Sequence, residues 1–246
     1  MTDHAARGRA VLAISVAVTV ALYVIPGGYH VAYPLILIST LVHELGHGIA
    51  AVFMGARFLK FHMNADGSGV AYWSGHVGSV GRAFISAGGL VGPALLAAVA
   101  FVVARRARFA RWALGVGAGL LLALGAWVVR GQFGLVFVLI LAAACLAIAL
   151  KGSEQLAHFT LVFLAVQLAL SVYSRGDYLF VREARPGMPS DVEQMARALG
   201  GPYWLWGWIC GAFSVVVLAV GGWLFLRAAR RQPGGTMPTG AVRVSR

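Results

Sequence analysis

The chain has 246 residues and a mass of 25.9 kDa, is 60% apolar and 11% charged, and has a mean hydropathy of +0.81. A soluble domain is about 45–50% apolar and about 25% charged, so a water-soluble globule is excluded and an integral membrane protein is expected. The formal net charge is +12, but the basic residues, all arginines except Lys60 and Lys151, stand at the ends of apolar stretches, where headgroups lie, and form no contiguous face for nucleic acid.

Seven stretches are predicted as spans: Ala10–Ile25, Val31–Met54, Phe84–Ala104, Trp112–Val129, Phe133–Leu150, Leu156–Tyr173 and Tyr203–Leu226. A span needs about 20 residues, with a range of about 17–25, so the first is marginal. Pro26-Gly27-Gly28 ends it without a small-x-small cleavage site and another span follows at once, which reads as a retained helix. After the second span, Leu59, Phe61 and Met63 alternate with Lys60 and His62, Asn64 to Gly69 supplies turn residues, and Val70 to Trp73 can return. This is the period of a β-hairpin, placed at 57–73 against the membrane. Gly88-x-x-x-Gly92 and Gly115-x-x-x-Gly119 expose backbone for close helix packing. Arg130-Gly131-Gln132 divides the fourth span from the fifth and leaves room for a kink or a re-entrant turn.

The connections 55–83 and 174–202 and the Arg-rich tail 227–246 are too short for an independent catalytic domain, which rarely falls below about 50 residues. The expected fold is therefore an all-α polytopic membrane protein with about seven transmembrane helices (six to seven), forming a single domain over 1–246. Any chemistry must sit on or between its helices. Cys145 and Cys210 lie in apolar stretches and are assigned to packing.

The chemical signal is His43-Glu44-Leu45-Gly46-His47 in the second span. Spacing of four puts both imidazoles on one helix face, where they can share a tetrahedral Zn²⁺, with Glu44 beside them as general base on a water at the metal. Glu44 is also the only acid inside any predicted span. A charge there costs about 2.5–3.5 kcal/mol on insertion scales, a cost that a histidine pair buried for packing does not explain.

Catalytic zinc generally has three protein ligands. Asp177, where the sixth span ends, is the favoured third ligand; if that helix continues to about Val181, Asp177 lies on the same side of the membrane as the histidines. Asp191 is the alternative, followed by His62, His76 and Asp66.

These residues resemble the site-2 proteases, intramembrane zinc metalloproteases, most closely the compact branch without PDZ domains. The resemblance rests on His43-Glu44-x-x-His47, Asp66-Gly67-Ser68-Gly69, Ala87-Gly88-Gly89-Leu90-Val91-Gly92-Pro93, Arg130-x-x-Phe133-Gly134 and the Asp177 region. It implies hydrolysis of peptide bonds in membrane-spanning protein substrates, with one Zn²⁺ per chain and no nucleic-acid partner. It also implies a role in regulated intramembrane proteolysis and a place in the cytoplasmic (inner) membrane of a bacterium, with the N-terminus in the cytoplasm. Charge alone leaves orientation tied, because ten basic residues fall on each side. The hairpin, with Phe58, Lys60, Phe61 and His62 as candidate substrate contacts, could clamp an unwound substrate strand by edge pairing. Two other readings remain: a metal transporter or sensor, which calls for further ionisable residues such as His158 across the membrane, and a pseudoprotease that binds membrane proteins without cutting them.

Overall fold

The computed structural model describes residues 3–174 and 179–231. Six of its helices are long and apolar enough to cross a membrane: α2 (Gly28–Phe53), α3 (Ser79–Ala104), α4 (Arg108–Trp127), α5 (Gln132–Lys151), α6 (Glu154–Ser174) and α8 (Tyr203–Arg231). Helix α1 (Asp3–Val24) is the marginal one, since its apolar part covers only Gly8–Leu22. The expected fold class is the one found.

Helix α3 is the hub, packed against α2, α6, α8 and the short α7 (Asp191–Leu199), while α1 lies against α6 and α8. The larger core cluster is built mostly from small side chains, among them Ala104, Ala118, Ala149 and Ala165, with Phe101 and Phe225 filling between them. Hydrocarbon gives apolar helices no drive to exclude one another's surfaces, so close backbone approach through small residues is what holds such a bundle. The outer faces are wide and apolar. On α4, Val116 and Leu120 are exposed between Trp112 and Trp127 at the two ends, matching aromatic anchoring at both interfaces.

The α2–α3 contact is the tightest. A Cβ on Gly46 would sit 2.2 Å from the carbonyl oxygen of Gly88, and one on Gly88 would sit 2.6 Å from that of Gly46. Gly92 completes the stripe 3.4 Å from the Gly46 Cα. The packing role expected for Gly88-x-x-x-Gly92 is thus met, whereas Gly119 faces open space and Gly115 makes only ordinary contact with Ala149.

The hairpin forms as β1 (Arg57–Met63) and β2 (Gly69–Ser74), antiparallel. Its alternation is broken by a bulge between Phe58 and Lys60, which turns Phe58 toward the core and leaves Leu59 exposed, against the expectation that Leu59 shares the face of Phe61 and Met63. The fourth helix ends at Trp127, short of the expected Val129, and Val129–Arg130 form a strand instead, β3, which pairs parallel with β1 and gives the order β2-β1-β3. The chain between α4 and α5 therefore passes alongside β1 before α5 begins. Phe61 and Met63 bury against Leu37, Leu41 and Val138, fixing the sheet to α2 and α5.

Candidate metal centre

One stripe of α2 carries the hairpin. Tyr33 donates its hydroxyl to the Ala65 carbonyl, Thr40 donates to Gly67 O (2.7 Å), and the Glu44 carboxylate accepts the Ala71 N–H (2.8 Å). These positions are spaced seven and four apart, which places them on one helix face. Gly69 is required where β2 crosses this stripe, because a Cβ there would lie 2.7 Å from Glu44 Cγ and 2.9 Å from Thr40 Cγ2. Within the turn, Asp66 accepts the Ser68 N–H (2.9 Å), and its other oxygen lies 3.7 Å from Arg185.

A neighbouring face of α2 carries His43 and His47, whose Nε2 atoms are 3.2 Å apart. The His47 Nδ1–H donates to the Ile85 carbonyl (2.8 Å). A carbonyl can only accept, so this bond fixes the tautomer and leaves Nε2 with its lone pair facing inward. The α2–α3 glycine contact makes the bond possible: a Cβ on Gly89 would lie 2.3 Å from the His47 ring.

The third donor is Asp191. Its Oδ2 lies 3.3 Å from His43 Nε2 and its Oδ1 3.4 Å from His47 Nε2. Zinc–ligand bonds of about 2.0–2.1 Å imply tetrahedral edges of about 3.3 Å. The histidine pair stands at that separation, and each carboxylate oxygen of Asp191 approaches one ring. With one atom per residue the three donors lie within 4.8 Å of one another, close enough to converge on one Zn²⁺. With the His47 Nε2 lone pair, the His43 Nε2 and the Asp191 carboxylate converging there, a cation is what such a set fits. Among the described residues, His43, His47 and Asp191 are the one group of three so disposed. Burial by itself would favour the neutral acid, but imidazoles in their protonated, donating form outweigh it and hold the Asp191 carboxyl below the usual carboxylate range.

Asp191 is the first residue of α7. Ser190 caps that helix by accepting the Glu193 N–H (3.2 Å) and donates its own hydroxyl to the Val181 carbonyl (2.6 Å). Val192 and Met195 anchor α7 on Leu90 of α3 and Cys210 of α8. A small hairpin, β4 (Glu183–Arg185) with β5 (Met188–Pro189), precedes it. The signal for this element is present in the sequence: Ser190-x-x-Glu193 has the spacing of a capping box, with apolar residues at 192 and 195 behind it. Asp177 lies outside the described residues. The chain beyond them does not continue α6 as far as Val181, which is already in the extended path toward β4.

The other candidates are spread along the hairpin. Phe61 is fully buried and Phe58 packs on Gly48, while Lys60 stacks over the exposed Tyr72 ring and His62 lies next to Gly131. Because β1 has neighbours on both sides, the edge beside the histidines belongs to β2. His43, Glu44, His47 and Asp191 open into one cavity of about 510 Å³ between β2, the start of α3 and α7.

A polytopic membrane protein with a buried His-His-Asp donor set and an adjoining carboxylate is a restricted class. The sequence model of the family described as Peptidase M50B-like matches residues 12–221, and the chain belongs to that family, the site-2 proteases. No curated protein and no solved structure matches it.

Proposed function

We propose that this chain is an intramembrane zinc metalloprotease that cuts peptide bonds of membrane-spanning substrates. In this reading His43, His47 and Asp191 hold one Zn²⁺ and Glu44 is the general base. The observation that carries it is the convergence of His43, His47 and Asp191, one ligand atom each within 4.8 Å of one another, with Glu44 next to His43 on the same helix. Zinc bound there supplies a Lewis acid and lowers the pKa of water toward about 7.

The rest falls to the chain's own groups. Glu44, oriented by the Ala71 N–H, takes the proton of the attacking water and passes it to the leaving nitrogen. A substrate helix must unwind to present a carbonyl, and the outer edge of β2 supports a place for the unwound strand to pair. The family resemblance supports an inner bacterial membrane, one domain over the whole chain and a role in regulated intramembrane proteolysis. Transport would need ionisable groups continuing away from the site. His158 instead bonds the Ala104 carbonyl (3.0 Å) at the far end of α3 and stacks on Phe225.

The test is to purify the protein and its Glu44→Gln variant, measure zinc, and assay cleavage of membrane-helix peptides. Zinc in both with cleavage only in the first supports the reading, and equal cleavage by both would sink it.

A further inference from the structure

Apart from Glu44 and Asp191, the charged side chains lining the catalytic cavity are both basic, Arg82 and Arg197. They differ in how their charge is used. Arg197 sits at the end of α7 and gives its Nε–H to Glu193 (3.0 Å), so its charge is already matched. Arg82 lies in the first turn of α3 and is exposed; it makes a long hydrogen bond to Ser79 Oγ (3.5 Å), and no carboxylate lies within ion-pair distance of it among the described residues. It stands one helical turn, about 5 Å along the axis, before Ile85, whose carbonyl holds His47. A guanidinium thus lines the same cavity as the candidate metal ligands, held only by the long bond to Ser79.

Resting on the protease reading, we propose that Arg82 is a specificity-determining residue that selects substrates carrying a carboxylate near the bond to be cut. The carboxylate is an Asp or Glu side chain, or the free C-terminus of a chain already trimmed. An Arg–carboxylate pair uses two parallel N–H donors and is geometrically selective. Within a cavity such a pair is screened less than on an open face. Arg197 tunes the same field but, being neutralised by Glu193, contributes less.

The test uses the full-length zinc-loaded protein in phosphatidylcholine vesicles and membrane-helix peptides that differ by one Glu/Gln exchange beside the scissile bond, each with a free or an amidated C-terminus. The expected preference for the carboxylate form is at least tenfold in kcat/KM. The Glu/Gln pair and the acid/amide pair report which source is read. Arg82→Gln should bring the ratio to about one, Arg82→Lys should keep part of it, and Arg82→Glu should invert it toward peptides with Lys at that position, which a misfolded variant could not do.

Binding of the same labelled peptides to the Glu44→Gln protein, and to Glu44→Gln with Arg82→Gln, separates the two claims. A preference that depends on Arg82 without any wild-type cleavage refutes the protease and keeps the selectivity. A ratio unchanged by Arg82→Gln in both assays overturns the proposal. So does an effect of Arg82 that appears only in vesicles containing phosphatidylglycerol, which would assign this residue to lipid headgroups.

Discussion

The Ala71 N–H and the Glu44 carboxylate are joined at 2.8 Å across the gap between β2 and α2. The bond is available because Phe61, opposite Ala71 in the hairpin, gives its own N–H to Val128 on the other side of β1, so Ala71 is not used by the ladder. Proline at an edge position removes a donor without breaking a ladder bond. Ala71→Pro should therefore leave zinc content unchanged while lowering kcat about tenfold, by releasing the general base from its set orientation. Zinc lost together with activity would show instead that the substitution disrupts the hairpin.

The two aspartates make opposite predictions for the metal. Asp191→Ala should lower zinc affinity by at least tenfold, as loss of one of three ligands does, and Asp177→Asn should leave it near wild type. Zinc stoichiometry after dialysis against a competing chelator decides between them, and the reverse result would restore Asp177 as the ligand.

Glu44→Gln should keep zinc and lose activity by about 10²–10⁴-fold, the usual contribution of a positioned general base. Measured cleavage within a few-fold of wild type would remove Glu44 from the mechanism.

Gly88→Ala should cost about 1–3 kcal/mol as an overpacked contact and should loosen zinc as well, because its Cβ would press on Gly46, between the two histidines. Gly119→Ala, facing open space, is the matched control and should change neither the thermal midpoint nor zinc content.

Chelation should free α7 in part. Val192 and Met195 still hold it by packing, but Asp191 would be left facing two histidines with no cation between them. Hydrogen exchange across 191–199 should rise on metal removal and return on adding zinc, with α4 unaffected.

Much of this molecule is legible in the sequence because the bilayer imposes long apolar runs and permits few charges. The spans, the hairpin and the His43-Glu44-x-x-His47 site follow from length, period and spacing alone. What escaped is short or long-range. The two residues of β3 carry no pattern of their own and exist because β1 offers an open edge. The bulge at Leu59 shifts a register that simple alternation assumes intact. Continuation of the sixth helix favours Asp177 by depth, whereas α7 brings Asp191 to the histidines from outside the spans by packing on α3 and α8. Its capping signal is local and readable, but where α7 docks is set by tertiary contact.

The separation of the donors along the chain has a consequence for biosynthesis. His43 and His47 emerge with the first spans, but Asp191 follows only after α6 has been made. At about 5–20 residues per second, a nascent chain spends roughly 7–29 s holding the two histidines without the aspartate. The three-donor centre therefore cannot assemble until almost the whole bundle has been threaded into the membrane.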